Sequence, residues 1–382
     1  MYSTATKPRV VLIIPSLQSG GAELFLIRLI HQMQNKVDFM VIVMKDFDRE
    51  LNISHLTSIK LFRLNINGPT NIFKVIHSIF SFVVEVRKFD PLAVQCFLYP
   101  AELLSLLLLR RHNLFWSARG TGNPYEKSLV KLMAVRLNLF LSKFFPSKIV
   151  ACSSAAADWI RNRGVPDSRI IVINNFLDEW TYEVRSSSNL LLNDRNLVKD
   201  GIRIGMAARF DPHKGHRVLI DGITHFCKNT RIPVHLTFIG RDTQLLGEAI
   251  HSINSSSVTK NLVTFELCGE ILETSAKAEW FAALDLYVLA SFKLEGFPNS
   301  LAEAISIGCP AISTSSGNST EMLHSELIIQ EVNPISISNS LQKLVNFSLL
   351  ELQSFVEVSR ENVLVLTDRK RICNQYLKLW SQ

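Results

Sequence analysis

The stretch Ser291-Phe-Lys-Leu-Glu295-Gly296-Phe297-Pro-Asn299-Ser300-Leu-Ala-Glu303-Ala-Ile-Ser-Ile-Gly-Cys-Pro310 decides how the chain is read. It follows a short apolar run, Leu286 to Ala290, whose length and composition predict a buried strand. Apolar spacing from Asn299 to Ile307 predicts a helix. Glu295 then hangs on the loop at the carboxyl end of a strand, and Glu303 lies near the start of the next helix. Open α/β sheets bind their ligands at that rim. Ser300-Leu-Ala-Glu303 also has the spacing of a capping box, in which Glu303 would bond back to the helix start. Capping and ligand contact both stay open for Glu303, whereas Glu295 has no capping duty.

Outward from this stretch, strands and helices alternate along the whole chain. Strands are expected at 10–14, 38–44, 59–64, 93–98, 114–117, 149–152 and 170–173, with helices at 21–33 and 72–87 and others between the later strands. Thr181 to Asp200 is polar and irregular, with Ser186-Ser187-Ser188, and reads as a linker. A second series follows at 202–207, 234–239, 263–267, 286–289, 311–313 and 327–329, each strand but the last preceding a helical pattern long enough for a crossover. Arg369 to Trp380 is a final amphipathic helix. The expected fold class is α/β: two doubly wound, Rossmann-like domains, 1–180 and 201–364, joined by the linker 181–200 and meeting at a cleft.

A chain of 382 residues, 47% apolar and 20% charged, is globular and too long for one ordinary core. Its net charge of +7 favours an anionic partner: nucleic acid, anionic lipid or a phosphorylated ligand. No helix-turn-helix, zinc-finger or RNP pattern supports nucleic acid. The six cysteines are scattered among apolar neighbours with no Cys-x-x-Cys pair, as expected of buried thiols in a reducing compartment. Val10 to Pro15 is too short for a signal peptide, and no apolar run reaches the roughly 18 residues of a membrane span. A cytoplasmic protein is expected.

Four further segments carry candidate chemistry. Gly20 and Gly21, in Pro15-Ser-Leu-Gln-Ser-Gly20-Gly21-Ala-Glu23, follow the first strand and let a ligand approach the backbone at a helix start. Plain turn chemistry is the commoner reason for such a pair, and Gly-x-Gly-x-x-Gly is absent. Arg209 and Lys214 stand five apart after the strand 202–207, where two cations would stabilise a departing diphosphate without a metal. By spacing alone they read as solvated loop charges. Asp46-Phe-Asp48 has the form of a metal-binding Asp-x-Asp, but two loop aspartates are usually turn residues, and no metal is expected. Lys127 to Lys148 mixes Lys131, Arg136 and Lys143 with Leu132, Val135, Leu139, Phe140, Phe144 and Phe145. It reads either as a crossover helix on the sheet or as a basic amphipathic helix on an anionic membrane surface.

The segment around Glu295 and Glu303 resembles the Glu-x7-Glu motif of family 4 glycosyltransferases, the group 1 enzymes of the GT-B architecture. The likeness extends in order from Val10 to Trp380. It implies a retaining transferase that uses a nucleotide-diphosphate sugar, with no cofactor besides that donor. Arg209 and Lys214 would hold the diphosphate, Glu303 the ribose, and Glu295 would face the sugar and stabilise an oxocarbenium-like transition state. Gly20, Gly21, Gly240, Gly296, Phe297, Asn299, Ser300, Gly317 and Asn318 match donor-binding positions. Family loops at 316–317 often carry two glycines, and Ser316 takes the first place here. Arg119, in Trp116-Ser-Ala-Arg119-Gly-Thr121, stands near where relatives contact the acceptor. It stays protonated and cannot be a base, so it would hold an acceptor phosphate or buttress the loop. The resemblance further implies that helix 365–382 packs back on the first domain. It also implies a lipid-linked or cell-surface glycan acceptor, as in O-antigen or capsule assembly, and a peripheral position on the cytoplasmic face of the inner membrane. A nucleotide-sugar 2-epimerase of the same fold and a non-catalytic nucleotide-binding partner subunit are the alternatives.

Overall fold

Alternating apolar runs and amphipathic segments build two parallel sheets in the computed structural model of the chain. The structure describes residues 7–17, 20–45, 59–66, 72–108, 113–121, 129–186, 197–247, 261–292 and 295–382. Asp46 and Asp48, residues 127–128 of the basic segment and residues 187–196 of the expected linker lie outside them. The chain divides into two units, one formed by Met1–Phe176 with Asp368–Gln382, the other by Leu177–Thr367.

The first unit holds β1 (Arg9–Ile14), β2 (Asp38–Val43), β3 (Ile59–Arg63), β4 (Ala93–Cys96), β5 (Asn113–Ala118), β6 (Lys148–Ala151) and β7 (Ile170–Val172). Their order is β3-β2-β1-β4-β5-β6-β7, every pair parallel. The central strands are covered on both sides, which is why β1 after Arg9 is an unbroken apolar run and not an alternating one. One side carries the Gly21–Met33 helix and the C-terminal Arg369–Trp380 helix, packed on Leu12, Val41 and Phe39. The other carries the Ile72–Phe89 helix through Phe82 and Val86, with Leu141, at the end of the Leu129–Leu141 helix, packed on the same cluster.

The second unit holds β8 (Ile202–Ala207), β9 (Val234–Ile239), β10 (Val263–Gly269), β11 (Leu286–Leu289), β12 (Ala311–Thr314) and β13 (Ile328–Ile329). They run β10-β9-β8-β11-β12-β13, so the winding direction reverses between β8 and β11. That reversal point opens a ligand crevice at the carboxyl ends of the strands. One expected crossover is absent. Between β12 and β13 there is only a four-residue helix, Ser319–Met322, and a 3-10 turn at Ser325–Leu327. Adjacent parallel strands this short need little chain to connect them.

Five of the six cysteines are buried, Cys268 is half-buried, and all are free thiols.

The C-terminal helix is a core element of the first unit. Trp380 meets Phe39 edge-on at 5.8 Å and Tyr376 lies 6.0 Å from Phe25, both fully buried. Trp380→Ala therefore leaves a large cavity and should destabilise this unit by about 3–5 kcal/mol in equilibrium denaturation.

Candidate active site

Three loops at the carboxyl ends of β8, β11 and β12 converge on Glu295. Lys214, on the turn after β8, donates from Nζ to Glu295 Oε1 at 2.5 Å, and the hydroxyl of Ser291 donates to the same oxygen at 2.7 Å. The approach of these loops is set by backbone geometry. Gly215 adopts φ +76°, and a Cβ there would run into the carbonyl oxygen of Ala290. Gly317, at φ +62°, places its α-carbon where a side chain would meet Gly296 O at 2.6 Å and Glu295 Cβ at 3.0 Å. Only glycine fits the left-handed backbone and the close approach together.

Behind the rim, buried Tyr287 of β11 donates its hydroxyl to Ser300 Oγ at 2.7 Å. A buried Tyr needs such a partner. Ser300 is thus inside its helix, which runs Asn299–Ser306 from Pro298 with no side-chain cap. The expected capping box is not formed: Pro298 cannot supply a capping side chain, and the helix begins one residue before Ser300. Glu303 instead turns its buried carboxylate to Lys277, with Nζ 2.7 Å from Oε2. Lys277 comes from the Thr274–Ala282 helix and lies 5.9 Å and 5.8 Å from the ring centroids of Trp180 and Phe281. Nothing in the local sequence of Lys277 announces this role. Tyr287, a lone phenol in an aliphatic strand, was a readable signal.

Arg209 is an exposed cation of the rim, 55% accessible, with Asp211 at 3.3 Å. Asp211 also accepts from the backbone N–H of His213 at 2.9 Å, which shapes the turn carrying Lys214. His216 follows, buried between Phe210 and Phe238, with Nε2 3.3 Å from Ala208 O. Gly240 ends β9 beside Ala208. Gly296 and Phe297 are buried beside Glu295, and Asn299 opens the following helix. Asn318 is 1% exposed, and among the described residues neither of its side-chain polar atoms has a hydrogen-bond partner; the buried hydroxyl of Ser316 has none there either. Such groups cost about 1–3 kcal/mol each unless something else bonds them.

The remaining predicted residues lie in the first unit. Gly20 and Gly21 do open a helix after β1, and Glu23 folds its carboxylate back over Gly20. Arg119, at the end of β5, donates to Asn175 Oδ1 at 2.8 Å and to the Tyr376 hydroxyl at 3.3 Å. Its guanidinium lies between Phe25 and Phe97, 4.5 and 4.8 Å from their centroids. These contacts tie the β5 loop to the C-terminal helix.

Two family models match the chain: Glycosyltransferase Family 4 over residues 19–180 and Glycosyl transferases group 1 over residues 201–346. The chain belongs to the group 1, family 4 glycosyltransferases. Protein CapJ of Staphylococcus aureus is 29% identical over 172 residues, covering 44% of this transferase and 41% of CapJ, so well under half of that relative is spanned. Among solved structures, Anabaena HepE in complex with UDP and glucose aligns with a TM-score of 0.77 at 18% identity, covering 98% of this chain and 99% of that one. Sucrose-phosphate synthase from Thermosynechococcus elongatus aligns at 0.76 and 16% identity, covering 98% of each chain. The fold of this glycosyltransferase is GT-B.

Burial holds the His216 imidazole near a pKa of about 4, with Lys214 adding to the depression against the opposing bond to Ala208. The unfolded chain takes up this proton nearer pH 6.5. Stability that rests on neutral His216 is therefore complete above about pH 6.5 and is lost as the pH falls toward 4, at up to about 1.4 kcal/mol per pH unit. An NMR titration of the His216 ring should show it still neutral at pH 5.5, where an ordinary histidine is mostly charged.

Proposed function

We propose that this glycosyltransferase moves a hexose-type sugar from a nucleotide-diphosphate donor to a hydroxyl acceptor with retention of configuration and without a metal. The convergence of Lys214 and the Gly317 loop on Glu295 carries this reading, because it joins a cation, a carboxylate and a glycine-tight loop at the strand reversal point. HepE, which shares the fold, was solved with UDP and glucose, and the present chain would take a donor of that class. In the bond-breaking step the sugar–oxygen bond lengthens, negative charge grows on the diphosphate and positive charge on the sugar ring. Lys214 has three N–H donors, so it can keep Glu295 and still reach a phosphate oxygen. Arg209 adds a second, exposed cation. Glu295 faces the sugar and stabilises the oxocarbenium-like ring, while Glu303, steadied by Lys277, holds the ribose. Gly240, Gly296, Phe297, Asn299, Ser300, Gly317 and Asn318, all of the second unit, would line the donor's place. The leaving phosphate oxygen accepts the acceptor's proton, which removes the need for a protein base.

On the acceptor side, Arg119 acts by holding its loop and not by touching the acceptor, since its guanidinium is wedged between two rings and bonded to Asn175 and Tyr376. The acceptor is a lipid-linked glycan precursor of the O-antigen or capsule type, a reading favoured by the chain's positive charge.

Arg209→Ala should unfold close to wild type, whereas Lys214→Ala, which leaves the buried Glu295 carboxylate without its lysine, should also lose stability; each should lower turnover by about 10²–10³-fold, the usual loss for a contact made to developing charge. Wild-type turnover should persist in EDTA. Full activity in both variants would remove the proposed diphosphate clamp.

The two glutamates separate by measurement. Glu295→Gln should lower the single-turnover rate with little change in donor affinity, and Glu303→Gln should chiefly weaken donor binding. Isothermal titration with UDP-sugars and rapid-quench kinetics on both variants check this. Wild-type values for Glu295→Gln in both assays would refute its assignment.

A further inference from the structure

Arg209 and Lys214 sit on one loop, residues 208–215, between the end of β8 and the His216–Thr230 helix. The first residue of that helix reaches back across the loop. His216 Nε2 lies 3.3 Å from the carbonyl oxygen of Ala208, eight positions earlier. A carbonyl carries no proton, so Nε2 is the donor and the neutral ring is held in one tautomer. The bond closes the loop end to end. Arg209 follows the accepting residue directly, and Lys214 lies two positions before the donating one.

The ring is fixed as firmly as the bond it makes. It is 2% exposed, 5.6 Å from the Phe210 ring and 5.7 Å from the Phe238 ring of β9. Phe210 belongs to the loop itself, and its backbone N–H donates to Arg241 O at 2.8 Å. Ala208 packs on Gly240, and its N–H donates to Ile239 O at 2.9 Å. At the other end, His213 O accepts from the N–H of Phe292 at 2.8 Å, which joins the loop to the one after β11.

Between two phenylalanines, the residue best suited to stability alone is a third apolar ring. Histidine instead buries two ring nitrogens, and Nδ1 has no hydrogen-bond partner among the described residues. Burying an unpaired polar atom is unfavourable, so the ring is explained by what Nε2 does. Burial, with a smaller push from Lys214, keeps the ring neutral at pH 7 against the opposing Ala208 bond and Asp211. A neutral donor holds the loop without adding a third charge to the two cations.

We propose that His216 is a positioning residue for the diphosphate clamp: its bond to Ala208 O closes the loop and sets Arg209 and Lys214 at the spacing a diphosphate needs. The inference rests on the reading of these two cations given above.

Isothermal titration of the full-length protein with inorganic pyrophosphate, the group common to nucleotide-diphosphate donors, tests it beside thermal melting. His216→Phe keeps an aromatic ring between Phe210 and Phe238 but has no donor. It should melt close to wild type and bind pyrophosphate about tenfold more weakly, because a clamp displaced by about an ångström loses its aligned contacts. His216→Gln keeps an N–H at similar reach and loses the ring. It should melt lower, yet bind within about twofold of wild type. The two variants then rank in opposite order in the two measurements, which a packing role alone cannot produce. Wild-type affinity in His216→Phe, or affinity that falls in step with melting temperature in both variants, would overturn the proposal. Arg209→Ala separates the two readings. If it binds pyrophosphate like wild type, or if wild type binds none, the clamp itself is wrong and this inference falls with it. If it binds weakly while His216→Phe binds normally, only the role of His216 is lost.

Discussion

A lysine ammonium 2.5 Å from a glutamate carboxylate bridges the loops that leave β8 and β11, the two strands between which the winding of the second sheet reverses. Both partners are largely withdrawn from water. Desolvating two charges costs several kcal/mol, and an apolar pair of similar volume would often be the more stable choice. In the reading proposed above, the pair is kept because both groups act on the donor at the strand reversal point. It also constrains the surroundings. Gly215 and Gly317 are needed because the loops must approach within backbone contact for Lys214 to reach Glu295. Ser291 fixes which carboxylate oxygen is shared.

The rim shows the same preference elsewhere. Asn318 and Ser316 bury polar atoms with no hydrogen-bond partner among the described residues, and Lys277 and Glu303 form a second ion pair. In a core built only for stability these would be apolar. Clustered along one edge of one sheet, they agree with the donor site proposed above. The two carboxylates are held differently, however. Glu295 sits on a loop with its lysine one strand away, whereas Glu303 is anchored in a helix against a lysine that is itself packed by Trp180 and Phe281.

Much of this was legible in the sequence because parallel strands buried on both faces must be short apolar runs. Val234–Ile239, Leu286–Leu289 and the helix Gly21–Met33 fall where the residue pattern puts them. What was not legible depends on distance along the chain. The Ser300–Glu303 capping box looked sound locally, but Tyr287 claims Ser300 and Lys277 claims Glu303 through tertiary contacts. Arg119 could be assigned only once Asn175 and Tyr376, 56 and 257 residues away, were brought to it. The β12–β13 link was overread because Met322, Leu323 and Leu327 are apolar for burial at short turns, not for a long helix.

The net charge of +7 takes on a more definite meaning once its location is known. In the second unit the rim cations stand beside acids: Lys214 beside Glu295, Arg209 beside Asp211, Lys277 beside Glu303. Local pairing there leaves little excess positive field. Residues 103–150 of the first unit are different, with cations almost unopposed by acids. Of these, Arg119 is held between the rings of Phe25 and Phe97 and Lys148 donates to the carbonyl of Ser168, whereas Arg136 stands exposed on the Leu129–Leu141 helix.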